Sequence, residues 1–399
     1  MQIIRGLSPD FAEFLEGELR RADRENLRRR LIPLERASAT DVRSKGAAIR
    51  NFSSNDYLGL STHPALQQAA RDAIERSGAG SAASRLVCGS LPEHEHLETS
   101  IARFKRTEAA LSFSSGYAAA LGTIPALVGS RDIIILDKLC HACLVDGARL
   151  SGATLRVFPH NDMTALEERL RWARKHHPES RVLILAESVY SMDGDIAPLE
   201  TMVGLKDAYR AWLLLDEAHG VGVLGADGRG LADLTGLNDR IELQMGTLGK
   251  ALGASGAYIA GTVALREFLI NRARSFIFST APAPAAAAAA TAAIELLENP
   301  ATAHPLLEAL HQNITHFCET ANLPHSPTPI IPVILKSEAA ALKAARDLNE
   351  AGFLVPAIRF PTVPRGTARL RITLSSAHTR QDISALAAAL LPLRTQAAS

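Results

Sequence analysis

Short apolar segments in the middle of the chain alternate with amphipathic stretches, and this alternation constrains the fold more than any other feature. The apolar segments are 132–137, 181–187, 211–216 and Leu243–Thr247, and helical patterns at about 162–175 and 198–210 separate them. Short apolar runs with β-branched residues are typical of strands that are buried on both faces. Strand–helix–strand alternation predicts an α/β fold with a mainly parallel sheet between helices.

The pattern changes at about residue 300. A helix, a strand at Ile330–Lys336, a helix at 338–351, strands near 353–359 and 369–374 and a last helix predict a smaller α+β unit. At the other end, 9–31 has the pattern of an arginine-rich helix that ends before Pro33. We therefore expect an N-terminal helix and short segment (1–55), a large domain (56–298) and a small C-terminal domain (299–399).

Charge and composition narrow the possible partners. The 399 residues include 43 Lys and Arg against 42 Asp and Glu, a net charge of +1 that gives no reason to expect nucleic acid or an anionic membrane. Four cysteines suit a reducing compartment better than a disulfide scaffold. Residues 1–5 lack the features of a signal peptide, and the alanine-rich stretch 281–297 is too weakly apolar to span a bilayer. The expected location is the cytoplasm.

Polar side chains that could bind a ligand or take part in a reaction follow the ends of the predicted strands. They are Asp137 with His141, Glu187 with Ser191, Asp216 with His219, and Thr247 with Lys250. In an open α/β sheet, ligands bind at the carboxyl ends of the strands. Four strand ends with such residues predict one site along this edge.

Lys250 is the candidate nucleophile of this site. A loop lysine is usually a solvated cation, but a buried one would suit a Schiff base with pyridoxal phosphate (PLP). The flanking Gly249 and Gly253 would let a cofactor ring approach the backbone closely. Asp216, at the end of an apolar strand, needs a partner such as a protonated pyridine nitrogen, and His219 is placed to bind the ring oxygen. A helicase-type Asp-Glu-Ala-His box is the alternative, but it requires a phosphate-binding loop that the chain lacks.

Two further segments have a plain and a functional interpretation. The turn Ser114-Ser-Gly-Tyr117 precedes a helical pattern. It could be an ordinary helix cap, or it could bind a phosphate group at the helix N-terminus. His141 lies in one segment with Cys140 and Cys143. These three residues could form a zinc site together with the pair His94 and His96. One Cys-x-x-Cys pair is a weak metal signal, and ring stacking on a planar cofactor suits a strand-end histidine better.

Taken together, these segments resemble the α-oxoamine synthase family of fold-type I PLP enzymes over residues 25 to 395. The motifs that carry the resemblance are Ser53-Ser-Asn-Asp-Tyr-Leu-Gly-Leu60, Ser115-Gly-Tyr117, 137–142, Glu187-Ser-Val-Tyr-Ser-Met-Asp-Gly-Asp195, Asp216-Glu-Ala-His219, Thr247-Leu-Gly-Lys250 and 361–371. The resemblance implies a large domain with a mainly parallel sheet, a small C-terminal domain, and a homodimer whose site lies at the subunit interface.

The resemblance also implies roles for matching positions. Lys250, His141, Asp216 and His219 would be catalytic, and no metal is expected. The cofactor would be held by Lys250, His141, Asp216, His219, Ser115, Gly116, Tyr117, Glu187, Ser191, Thr247 and, for a neighbouring subunit, Ser279 and Thr280. The substrates would be bound by Arg28, Asn55, Ser84, His141, Arg359, Thr362 and Arg371.

The run 357–364 around Arg359 resembles family members that condense L-alanine with a pimeloyl thioester, carried by coenzyme A or acyl carrier protein. Sister enzymes that use glycine with acetyl or succinyl thioesters are the alternative, and a noncatalytic partner subunit is a remote one. Two departures from the family pattern lie near the amino-acid pocket: alanines at 82 and 83, and Cys140.

Overall fold

The computed structural model describes residues 8–44 and 46–398, so the expectation drawn from residues 1–5 lies outside the described residues. The helices are α1 Pro9–Arg24, α2 Pro64–Ser77, α3 Pro92–Lys105, α4 Gly116–Leu127, α5 Ala142–Ser151, α6 Met163–His176, α7 Leu199–Ala208, α8 Leu231–Leu234, α9 Val263–Arg272, α10 Arg274–Ile277, α11 Pro284–Glu298, α12 Pro300–Thr320, α13 Glu338–Glu350 and α14 Arg380–Ala398. The strands are β1 Glu35–Arg36, β2 Asp41–Ser44, β3 Ala47–Asn51, β4 Ala109–Phe113, β5 Ile133–Asp137, β6 Thr154–Phe158, β7 Val182–Glu187, β8 Trp212–Asp216, β9 Leu243–Thr247, β10 Ala257–Gly261, β11 Ile330–Lys336, β12 Phe353–Leu354, β13 Ala357–Ile358 and β14 Ala368–Thr373.

A seven-stranded sheet forms the centre of the described part of the chain, in the order β4-β10-β9-β8-β7-β5-β6. Its strands are parallel except that β10 runs antiparallel to both of its neighbours. Every residue of β5 and β7 is buried, and apolar clusters cover both faces of the sheet. Burial on both faces explains why these strands are continuous apolar runs. The predicted α/β fold is confirmed.

The register of this sheet brings the predicted strand ends together. Glu187 pairs with Asp216, and Asp216 pairs with Met245, two residues before Thr247. Asp137 ends β5, which lies on the other side of β7. Parallel pairing therefore places these polar residues along one edge, where each strand gives way to a loop.

The alanine-rich stretch forms α11, which packs against α2 and α3. Small side chains allow helices to approach closely, and seven residues of α11 are buried. Nowhere in the described residues does a helix combine the length and hydropathy needed to cross a membrane.

Two smaller sheets lie beside the large one, and the second of them joins the N-terminal segment to the C-terminal part of the chain. β11, β14 and β13 form one, and β1, β2, β3 and β12 form the other, with β12 parallel to β3. The segment before residue 55 thus hydrogen-bonds with residues 353–354, which is a contact that no local pattern indicates. The domain boundaries at 55 and 298 stay a prediction.

The N-terminal helix is shorter than its pattern predicts. α1 ends at Arg24 rather than near residue 31, and Asn26 adopts a left-handed conformation with φ of 56°. Asparagine tolerates this conformation better than most residues. The Arg359 guanidinium donates to the Asn26 carbonyl, and Arg365 pairs with Glu25 at 3.3 Å. Tertiary contacts therefore decide where this helix stops.

Candidate active site

A cavity of about 190 Å³ opens at the strand ends of the large sheet. Its lining includes Gly116, Tyr117, His141, Cys143, Glu187, Asp216, Ala218, His219, Met245, Thr247 and Lys250. The structure thus brings together eight of the residues that the sequence marked as cofactor ligands, from α4, β7, β8, β9 and the loops that follow β5, β8 and β9.

Lys250 lies in the turn after β9 with its Nζ 2.8 Å from Nε2 of His219. Burial lowers the lysine pKa because it disfavours the charged form, although Asp216 and Glu187 oppose the shift. An amine with a lowered pKa is a better nucleophile and base near neutral pH. Gly253, which was expected to admit a cofactor ring, instead meets the backbone of Ser61: a Cβ there would lie 2.4 Å from the Ser61 nitrogen.

Two carboxylates, Asp216 and Glu187, are buried beside this lysine. Burial, reinforced by the charge of Asp216, raises the pKa of Glu187 to about 8. Burial also raises the pKa of Asp216, although Lys250 opposes the shift. Asp216 accepts a hydrogen bond from the Ala218 amide at 2.9 Å, and it forms no salt bridge within 4 Å among the described residues. A buried carboxylate at a cavity wall without a cationic partner fits a protonated pyridine nitrogen.

A chain of hydrogen bonds runs from Lys250 through His219 to Arg371. His219 Nδ1 lies 2.6 Å from the Tyr57 hydroxyl, which donates to Asn55 Oδ1 at 3.2 Å. Arg371 Nη1 donates to the same Asn55 oxygen at 3.1 Å. The sequence predicted roles for four of these residues but none for Tyr57, although Tyr57 lies inside a quoted motif and only its complete burial singles it out.

Burial controls the protonation of this chain. It lowers the pKa of His219 well below its ordinary value, and the nearby charge of Lys250 adds to the effect. Burial raises the pKa of Tyr57 to about 12, partly offset by Arg371. The imidazole and the phenol are therefore both neutral at neutral pH, so they orient their neighbours without adding charge.

His141 caps the helix α5 at the cavity wall. Its Nδ1 accepts from the Cys143 amide at 3.2 Å and lies 3.0 Å from Cys143 Sγ, while its own amide donates to Glu187. Burial lowers the pKa of His141. The negative charge of Asp216 opposes this shift and the positive charge of Lys250 adds to it, so the pKa stays below its ordinary value. A neutral ring held by its backbone suits stacking on a planar group. Among the described residues, no group of three or more His, Cys, Asp or Glu is arranged to hold a metal ion.

The N-terminus of α4 lies at one end of the cavity wall. Ser115 caps this helix by accepting from the Ala118 amide at 3.1 Å, and Gly116 and Tyr117 line the cavity. A helix N-terminus presents backbone amides and a partial positive charge to an anion. Thr247, which also lines the cavity, bonds the Gly256 carbonyl at 3.2 Å. Phosphate binding at this end fits the donors present.

Several predicted residues lie outside the lining of this cavity. Ser84 and Thr280 pair with each other in a short bridge, and Ser279 is the residue before it. The Ser191 carbonyl accepts from Arg371 Nε at 2.6 Å.

The predicted acyl-donor residues gather at the N-terminal segment. Arg28 pairs with Asp23 at 2.5 Å, Arg359 contacts the carbonyl of Asn26, and Thr362 accepts from Arg29 at 3.2 Å.

The fold and the site are those of a fold-type I PLP enzyme. The carboxyl edge of the sheet carries a lysine, a buried aspartate, two histidines and a helix N-terminus. The family described as aminotransferase class I and II matches residues 48–390. An 8-amino-7-oxononanoate synthase from Maricaulis maris (strain MCS10) is 48% identical, covering 96% of each chain. The chain therefore belongs to the aminotransferase class I and II family and, within it, to the 8-amino-7-oxononanoate synthases, and its cofactor is PLP.

Solved structures agree with this assignment. A serine palmitoyltransferase from S. paucimobilis with a bound PLP–myriocin aldimine has a TM-score of 0.90 and 29% identity, covering 99% of this chain and all of that one. An 8-amino-7-oxononanoate synthase from Francisella tularensis has a TM-score of 0.72 and 30% identity, covering 87% and 97% of the two chains. The family resemblance predicted from the motifs is confirmed.

Proposed function

We propose that this enzyme condenses L-alanine with a pimeloyl thioester to give 8-amino-7-oxononanoate, CO₂ and the free thiol carrier, a step of biotin synthesis. In this reaction a bond forms between the alanine Cα and the acyl carbonyl carbon, the thioester C–S bond breaks, and the Cα–carboxyl bond breaks. The observation that carries the proposal is the hydrogen-bond chain from Lys250 to Arg371, because it connects a cofactor lysine to a carboxylate-binding group.

Residues of the cavity would hold the cofactor by its three polar parts. Lys250 would hold it covalently, Asp216 would pair with the pyridine nitrogen, and His219 would bind the ring oxygen. His141 would stack on the ring, while Ser115, Gly116, Tyr117 and Thr247 would surround the phosphate. Glu187 would complete the pocket wall, and Ser191 would contact the cofactor from beside the cavity. Bound PLP supplies an electron sink that withdraws negative charge from the substrate Cα.

Arg371 would bind the carboxylate of alanine. Its Nε donates to the Ser191 carbonyl and its Nη1 to Asn55 and Thr373, so Nη2 is the nitrogen that would meet the carboxylate. Arg371 is 5% exposed, so a carboxylate there would meet a fixed, largely desolvated guanidinium. Nζ of Lys250, whose pKa burial lowers, would then remove the Cα proton, with His219 Nε2 holding the amine in place.

The acyl donor would enter past the contact between the N-terminal segment and the loop after β13. Arg359 lies beside Arg29, and burial followed by that like charge lowers the Arg359 pKa. Such a basic entry, with Arg28 and Thr362 beside it, suits the phosphates of either coenzyme A or the arm of an acyl carrier protein. Ser84 lies on the side of the departures at Ala82 and Ala83, and we assign it to the amino-acid pocket.

A homodimer in the cytoplasm would complete the site, with Ser279 and Thr280 reaching the phosphate of the partner subunit. Large apolar side chains are exposed near these residues: Leu86 is 53%, Val87 79% and Phe278 69% exposed. Exposed apolar residues that cluster on adjacent elements are typical of protein interfaces. In analytical ultracentrifugation, Val87→Asp should be a monomer, whereas Val157→Asp, on the edge strand β6, should stay dimeric. The Val87→Asp monomer should also bind PLP more weakly. A Val87→Asp dimer would contradict this assembly.

The reaction is tested by turnover assays in which each amino acid is paired with each acyl donor. The amino acids are alanine, glycine and serine, and the donors are pimeloyl, succinyl, acetyl and palmitoyl thioesters. We expect alanine with the pimeloyl donor to give the highest kcat/KM. Arg371→Lys should lose most of it, because an ammonium group could not keep the contacts with Ser191, Asn55 and Thr373 and also reach the carboxylate. Preference for glycine with succinyl or acetyl donors would replace the proposal with a sister reaction. Borohydride treatment of the holoenzyme should fix PLP on the peptide that carries Lys250, and labelling of another lysine would contradict the site.

A further inference from the structure

The loop 188–195, between β7 and α7, carries the backbone carbonyl that holds Arg371. This loop closes on itself through bonds from the Tyr190 amide to the Asp195 carbonyl at 3.1 Å and from the Gly194 amide to the Tyr190 carbonyl at 2.8 Å. On one side, Arg369 of β14 binds the Met192 carbonyl at 3.0 Å. Any movement of the loop would therefore displace the Ser191 carbonyl from Arg371 Nε.

His160, which follows β6, holds the other side of this loop. Its Nε2 lies 2.6 Å from Asp195 Oδ2, and its Nδ1 lies 3.0 Å from Asp137 Oδ1. Its ring also meets the Tyr190 ring edge to face at 4.4 Å. Asn161 adds parallel bonds, from its amide to Asp137 at 2.8 Å and from its side chain to Asp195 at 2.9 Å. We call Asp137, His160 and Asp195 the clamp.

The clamp joins the segment that leads to His141 with the loop that supports Arg371. Asp137 is the last residue of β5, and its Oδ1 also accepts from the Leu139 amide at 2.7 Å, which directs the chain toward His141. Asp195 ends the loop that positions Ser191. The His160 imidazole, with Asn161 beside it, thus links the segment that leads to His141 with the loop that supports Arg371.

Charge makes this bridge strong. The Asp137 side chain is fully buried, whereas the His160 side chain is 24% exposed. Burial lowers the His160 pKa, but the hydrogen bonds and charges of Asp137 and Asp195 outweigh burial and raise it to about 10. These carboxylates are the charged groups that face the ring, and Tyr190 and Asn161 are neutral. Over the neutral range His160 therefore donates two charge-assisted bonds.

We propose that the clamp is a positioning device for the amino-acid substrate, in which His160 holds the 188–195 loop so that Arg371 is pre-set for the carboxylate. This inference rests on the proposed function in one respect, namely that Arg371 binds the amino-acid carboxylate. His160 itself touches neither substrate nor cofactor. Its loss should therefore weaken amino-acid binding more than it slows the chemical step.

Titration of the holoenzyme absorbance with amino acid measures this binding directly. His160→Gln keeps a donor for one carboxylate and should raise the Kd for alanine about tenfold or more, because a misplacement of about 1 Å can cost as much as about 100-fold. The rise in KM should match, with kcat within a few-fold of the wild type. His311→Gln, an exposed position on α12, is the matched control and should change neither.

Asp195→Asn tests the clamp from the other side without altering the buried strand end. It should raise the same Kd, and the double variant should be no worse than the more severe single one, because both changes break one bridge. Unchanged Kd in the folded variants, or a fall of kcat at constant Kd, would overturn the proposal. If His160→Gln does not fold, Asp195→Asn alone decides.

A wrong substrate assignment would give a different outcome. In that case the wild type would bind glycine or serine better than alanine, and the clamp variants would still weaken binding of whichever amino acid is preferred. Failure of the clamp leaves the wild-type preference for alanine intact.

Discussion

Replacement of Lys105 tests how a fully buried ion pair supports the cofactor site. Both side chains of the Lys105–Glu217 pair have 0% exposure, and Glu217 directly follows Asp216. Lys105 Nζ donates to the Glu217 carboxylate and to the Arg229 carbonyl. The other carboxylate oxygen accepts from the Ala232 amide at 3.0 Å. Lys105→Met preserves most of the volume but leaves Glu217 charged, buried and held by one amide.

Removal of one partner of a buried ion pair costs about 3–5 kcal/mol, because the remaining charge stays desolvated. We therefore expect Lys105→Met to lower the free energy of unfolding by this amount. Lys343→Met is the matched control, since Lys343 is 61% exposed in an i,i+4 pair with Asp347. Exposed helical pairs of this kind contribute about 0.3–0.5 kcal/mol. The double variant Lys105→Met/Glu217→Gln removes the stranded charge and should recover roughly half of the loss or more.

Urea denaturation of the apoprotein, followed by the fluorescence of Trp172 and Trp212, measures these differences. The apoprotein is used because bound cofactor adds its own stabilisation. Equal losses in Lys105→Met and Lys343→Met would refute the argument from burial. A double variant less stable than Lys105→Met would show that the interaction with Glu217 is not what the lysine supplies.

Three further changes test the site and its surroundings. Asp216→Asn should reduce kcat by about 100-fold or more, the scale of losing one preorganised electrostatic partner, and turnover assays at saturating PLP measure it. The pKa of Glu187 rises in the folded state from 4.5 to about 8, so the folded apoprotein binds the extra proton and should lose stability as pH rises through this window; thermal unfolding of Glu187→Gln should show a shallower fall, and an unchanged slope would contradict the shift. Gly194→Ala would place a Cβ 2.2 Å from the Ile330 carbonyl oxygen at a φ of 75°, and it should destabilise the protein by about 1–3 kcal/mol in the same assay, with Gly204→Ala, where no atom lies within 4 Å, as the control.

The strand ends beside the cavity were predictable because burial on both faces of a sheet requires a continuous apolar run. β5, β7 and β8 lie in the middle of the sheet with helices on both faces, so each is an apolar run that ends abruptly at Asp137, Glu187 or Asp216. β4 and β10 escaped prediction because alanine, serine and glycine make up much of them. These strands are defined by their antiparallel partners rather than by their own propensity.

The hydrogen-bond partners of the site depend on contacts between distant segments. Tyr57 and His219 are 162 residues apart, and His160 and Asp195 are 35 apart, so no local pattern announces either pair. The same holds for α1, whose arginine-rich pattern continues past Arg24 although the helix does not. Long-range geometry decides these features because only the tertiary fold brings residues that are distant in sequence within hydrogen-bond distance.

The amino-acid sequence by itself determined the fold class, the family and the set of side chains at the strand ends. Hydrophobic periodicity and the order of motifs are properties of the sequence, and they can be read from it directly. It marked Lys250 as a cofactor lysine from its neighbours in sequence. Only the tertiary structure decided that His219, Tyr57, Asn55 and Arg371 form one connected chain from that lysine. Only the structure, too, revealed that burial lowers the Lys250 pKa, because desolvation is a property of packing and not of the residue.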